Sequence, residues 1–210
     1  MDKPTRQRLP RDSAGNLRLE GGTGPITGAC NCGDFLEVYK GDVTFRVKSP
    51  EAIDPGRTNP TAPGVVSVAD TVGSAHPAVA RVLLQGRDLL DGAAFTGTVD
   101  KQGVITLLHG IKEELVSCSK MSLRINRDVS ETLSAIKEKG VPTDGRGWVL
   151  NPFPQVANLE NDATGFLIHA KRAIQLTCRL PSLFLNVAIP TRISTSCRRR
   201  SRMRSAPTTV

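Results

Sequence analysis

Aromatic side chains are scarce in this chain: one Trp, one Tyr and six Phe among 210 residues. That leaves packing to Leu, Ile, Val and Ala, which suits helical seams better than the faces of a sandwich. Histidine is scarcer still, with only His76, His109 and His169. No two of them stand at zinc-ligand spacing, and three scattered imidazoles define no Ser-His-Asp set, because a triad is assembled only in space. No catalytic residue is therefore assigned, and no cofactor is expected. Long apolar runs are also missing. Asp2, Arg6, Arg8 and Arg11 break up the N-terminus, and the late run Leu183–Ile189 contains Asn186 and is too short to span a bilayer. The expectation is a cytoplasmic chain with no membrane partner. Five cysteines, an odd count without a secretion signal, favour free thiols over a disulfide framework.

A balanced interior is hidden behind the net charge of +8. Residues 1–30 hold five bases against three acids, and residues 191–210 hold six arginines and no acid, leaving 17 of each sign between them. The basic excess belongs to the ends, so it implies no nucleic-acid face on the body. Arg198, Arg199, Arg200, Arg202 and Arg204 could meet phosphates, which confines nucleic-acid binding to the tail. The Arg, Ser, Thr and Pro of that tail, and its abrupt start near Asn186, also fit an out-of-frame end. On that reading the chain is a truncated fragment of a larger helical protein without independent activity.

What the sequence does contain is a long helix, at about 100–139. Val104, Leu108, Ile111, Leu115, Cys118, Ser122, Ile125, Val129, Leu133 and Ile136 recur in steps of three and four, the period of one buried helix face. Asp100 is a plausible N-cap, and Gly140 with Pro142 ends the pattern. A second helix is expected from Ser74–Pro77 to Asp91-Gly92, with Gly92 in a left-handed cap. A third is expected from Asn158 or Asn161 to about Arg179, striped by Leu159, Ala163, Phe166, Leu167, Ala170, Ile174, Thr177 and Cys178. Ahead of these, Val43, Phe45 and Val47 alternate with Thr44, Arg46 and Lys48 as in a half-exposed strand, with Leu36 and Val38 as its hairpin partner. Val65, Val66 and Val68 either add a short strand or cover the core. Trp148 and Phe153 sit in a Pro/Gly-rich loop over 141–157 and are expected to pack down on the bundle end.

Residues 1–33 read as a mobile, disordered arm, and residues 190–210 as a disordered Arg-rich tail. Between them, 34–189 reads as one mainly α domain: an antiparallel helical bundle built on the long helix, with a short extended or hairpin segment before it. Cys30 and Cys32 are the one pair suggestive of a metal. Two thiolates one residue apart can share an ion, but a tetrahedral site needs two further ligands, and no second Cys or His pair supplies them. His109 and Glu113, four apart, share a helix face and could pair. The function expected is that of a non-enzymatic protein–protein interaction module, meeting a partner or a second copy through its helical seam.

Overall fold

The alternating stretch Leu36–Lys48 does form a hairpin, but that hairpin is the centre of a sheet. The computed structural model describes residues 9–13, 18–93, 98–141, 143–148 and 155–185. Strands β1 (Gly28–Asn31), β2 (Leu36–Tyr39), β3 (Thr44–Lys48) and β4 (Val65–Asp70) pair in that order as an antiparallel meander. A mainly α bundle with a lone hairpin is therefore the wrong class: the fold combines a four-stranded sheet with helices. One stretch was misjudged: Gly28–Asn31 lies inside the segment read as a disordered arm. Of the two alternatives for Val65, Val66 and Val68, the strand is the one that forms, as Val65–Asp70. The physical reason is edge pairing. Short segments with little local signal become strands when a neighbour offers a row of free N–H and C=O groups.

Helix α1 (Pro50–Ile53) is a single turn capped by Ser49. After β4 the chain enters a wide π-helical stretch, Ala78–Leu84, where Gln85 N–H reaches Ala80 O, and continues as α2 (Gln85–Gly92). His76 Nδ1 accepts from Ala78 N–H at 3.2 Å, so this imidazole helps to start the helix. Gly92 is not in a left-handed conformation, and Ala93 forms the cap in extended geometry.

Helix α3 (Lys101–Lys139) is the long rod, about 58 Å at 1.5 Å per residue. Asp100 caps it by accepting from Gly103 N–H, and Gly140 ends it at φ +70°. The predicted stripe is buried only over its first half. Val104, Ile111 and Cys118 are covered, whereas Leu133 is exposed. Helix α4 (Leu159–Thr177) runs back along α3: Gly110 faces Leu176, Glu114 pairs with His169, Cys118 meets Phe166, and Arg124 grips Asp162. Helix α5 (Leu180–Leu185) follows at once. Trp148 does not pack down. It is 75% exposed at the end of a turn closed by Asp144, while Phe153 lies outside the described residues.

Two apolar clusters result, one on each face of the sheet. Val38, Val43, Phe45 and Val47 point away from α3 and are covered by Leu19, Ala29 and Val66. On the other face Cys30, Cys32 and Tyr39 pack with Ala78, Val79, Leu83 and Val116. The N-terminal segment is held by Arg11, whose buried guanidinium donates to Asp54 at 2.7 Å and to Asn59 O at 3.0 Å.

Candidate functional site

The sheet face under α3 carries the polar half of the β2–β3 alternation. Strand register sets Cys30 opposite Glu37 and Glu37 opposite Arg46, so a thiol, a carboxylate and a guanidinium line up across three strands. Cys32 lies two residues beyond Cys30, on the same side of the chain. A carboxylate here, fully buried, costs several kcal/mol unless paired. Helix α3 supplies the pairing from His109 and Lys112, which at a spacing of three share one helix face.

Glu37 is the hub. Its Oε2 accepts from Tyr39 O–H at 2.5 Å and from Lys112 Nζ at 2.9 Å, while its Oε1 accepts from Arg46 at 2.9 Å. Burial by itself would raise the Glu37 carboxyl pKa. His109, the Lys112 charge, the Tyr39 hydroxyl and Arg46 together outweigh it and hold the group well below the usual carboxylate range. Tyr39 is driven the other way, because burial and its bond to Glu37 both favour the neutral phenol. Lys112, itself buried, also contacts the half-exposed Glu113.

Two atoms in this network are buried without a hydrogen-bond partner among the described residues, Arg46 Nε and His109 Nε2. His109 Nε2 lies 3.0 Å from Glu37 Oε1 and 3.7 Å from Glu113 Oε1, yet it lacks the alignment of a hydrogen bond and is buried without a partner. Phe35 closes the site from the side: its ring meets His109 edge-on at 5.6 Å and lies 4.0 Å from the Arg46 guanidinium. Beyond Phe35 is an open cleft of about 500 Å³, which none of the cluster's thiols, imidazole or carboxylate lines.

The two thiols are unequal. Hydrogen bonding between them stabilises a Cys30 thiolate and lowers its pKa, with Arg87 and Lys112 assisting against burial. The same bond, together with burial, pushes Cys32 up. Cys32 Sγ, a Glu37 oxygen and a His109 nitrogen all lie within 4.8 Å of one another. The pair expected from sequence is thus brought beside two further donor types. Glu37 and His109 were not foreseen as its companions, since Glu37 sits in an alternating strand and His109 was assigned to Glu113. Arg198, Arg199, Arg200, Arg202 and Arg204 lie outside the described residues.

A second feature is the outer face of α4. Asp162, His169 and Leu176 meet α3 through their side chains, Phe166 through its carbonyl, and Ala173 is buried on the same side. Leu167 and Ile174, placed in the stripe by sequence, instead point outward and are 66% and 60% exposed. They flank a shallow apolar depression with Ala170, Lys171 and Gln175. No described helix is long and apolar enough to cross a membrane. Comparison of the chain with family models, with curated proteins and with solved structures finds no match.

Proposed function

We propose that this chain is a non-enzymatic interaction module that self-associates through the outer face of α4. The observation that carries the reading is the second apolar face on that helix. A surface helix needs one apolar stripe, and α4 already spends one on α3; Leu167 and Ile174 form another that faces water.

A second copy suits this face better than an unrelated partner, because the face is self-complementary. A two-fold axis passing between Ala170 and Lys171 would set Leu167 of one copy against Ile174 of the other. The small Ala170 at the centre permits close approach. The same antiparallel arrangement brings the acidic first turn of one helix, with Glu160, toward Arg179 at the end of its partner. The four side chains contribute about 1–2 kcal/mol each, against an association cost of at least about 4 kcal/mol. The dimer is therefore weak and concentration-dependent.

Sedimentation equilibrium over a concentration series tests this. The wild type is expected to shift from monomer to dimer, and Leu167→Glu/Ile174→Glu to remain monomeric with an unchanged circular-dichroism spectrum. A wild type that stays monomeric at its solubility limit, or a double variant that dimerises equally well, refutes it.

A further inference from the structure

We propose that Cys32, Glu37 and His109, completed by Cys30, form a structural binding site for a zinc-like divalent ion between the sheet and α3. The proposal involves none of the residues of the α4 face and stands independently of it.

The donor set comes first. Thiolate sulfur, imidazole nitrogen and carboxylate oxygen are the three ligand types that zinc takes, in tetrahedral groups of four. With bonds of about 2.0–2.3 Å, ligand atoms in such a site sit roughly 3.3–3.8 Å apart. The three donors already lie within 4.8 Å of one another, so binding asks for about an ångström of contraction rather than a rearrangement. Cys30, two residues before Cys32 and opposite Glu37 in the sheet, supplies the fourth donor; it stands outside the group within 4.8 Å and would close in as the ion binds.

The orphaned imidazole nitrogen is a separate observation. His109 Nε2 is buried, lacks a hydrogen-bond partner and lies 3.0 Å from the Glu37 oxygen. Imidazole nitrogen and carboxylate oxygen are both zinc-ligand atoms, and an ion bound to the two would give this buried nitrogen the partner it lacks.

Charge accounting favours the same result. Glu37 is already balanced by Lys112 and Arg46, so a bare dication would overcharge the site. Two thiols remove that difficulty: as the ion enters, each loses its S–H proton to solvent, two positive charges arrive and two leave. Glu37 can bind the ion through Oε1 while Oε2 keeps its bonds from Tyr39 and Lys112. Those bonds then orient the ligating carboxylate, as outer partners do in established metal sites. Phe35 flanks the site, in contact with both His109 and Arg46.

The consequence is a clamp. The donors belong to β1 and the turn after it, to β2 and to α3, so the ion would tie the edge of the sheet to the long helix. Because thiols must lose protons, affinity falls as pH drops.

The test titrates reduced, chelator-treated full-length protein with cobalt(II), read by absorbance, followed by zinc competition. One equivalent is expected, with an intense sulfur-to-cobalt charge-transfer band and the visible bands of a tetrahedral ion. Cys32→Ser and His109→Gln should each weaken binding by more than about a hundredfold, exceeding the effect of losing an outer-shell partner. Cys118→Ser, which alters a buried thiol elsewhere, should bind like the wild type. Circular dichroism identifies any variant that fails to fold, and the wild-type spectrum alone then decides. Absence of a charge-transfer band in the folded wild type overturns the proposal. So does wild-type affinity in both ligand variants, or loss of the band in Cys118→Ser alone.

Discussion

Replacing Glu37 by Gln keeps shape and removes one charge, which makes it the sharpest probe of how the sheet is fastened to α3. In Glu37→Gln the Tyr39 hydroxyl can still donate to the amide oxygen. Arg46, with a side chain 32% exposed, can turn toward water. Lys112, at 3%, cannot, and it keeps only the half-exposed Glu113. Breaking a buried pair by removing one partner costs about 3–5 kcal/mol. The freedom of Arg46 and the remaining Glu113 set the expectation near the low end, about 3 kcal/mol, or roughly 6–12 °C in Tm for a domain of this size. Urea denaturation of metal-free protein, completed as a cycle with Lys112→Met, should give a coupling energy of about 2 kcal/mol. The pH dependence has a definite sign. The Glu37 carboxyl is held below its ordinary value, so its stabilisation is present above about pH 4.3, the unfolded value. It is lost as pH falls through the lower folded value. Glu37→Gln should therefore lose less stability than the wild type on acidification. A cost under about 1 kcal/mol, or strictly additive single variants, would show that the network is solvated and the reasoning mistaken.

Two glycines give opposite expectations. A Cβ on Gly73 would lie 2.1 Å from Lys40 O and 2.5 Å from Val43 N, both backbone atoms, so Gly73→Ala should cost more than about 2 kcal/mol in chemical denaturation. Gly92 has no neighbour within 4 Å and no positive φ, so Gly92→Ala should leave stability unchanged or raise it by up to about 1 kcal/mol. Asp100→Ala removes the N-cap of α3 and should cost about 1 kcal/mol, visible as a lower Tm and as faster amide exchange at Gly103.

Helix limits were legible because their causes are local. Asp100 and Gly140 bound α3 through backbone groups a few residues away, and a stripe at steps of three and four survives any tertiary arrangement; Asn158 begins α4 in a left-handed conformation without a side-chain cap bond. Stripe position proved less legible on α4. Eight small and apolar residues cover more than one face, and only the placement of α3 shows that Leu167 and Ile174 point outward. Helix α3 has the converse problem, since its stripe continues past the part that the described residues bury, to the exposed Leu133. The buried cluster was half visible. Cys30 and Cys32 stood out as thiols close enough in the chain to share an ion, but their strand was not seen and their companions carry no local mark.

The alternation of β2 and β3 fixed by itself that Val38, Phe45 and Val47 share one face and Glu37, Tyr39, Thr44 and Arg46 the other, since side chains in a strand alternate whatever surrounds them. A carboxylate and a guanidinium in such a pattern point to water. Tertiary structure decided otherwise: both faces are covered, and the polar one lies under α3. What allows it is a lysine 75 residues away, for a buried carboxylate is tolerable only where a cation is delivered to it. No local pattern announces that delivery.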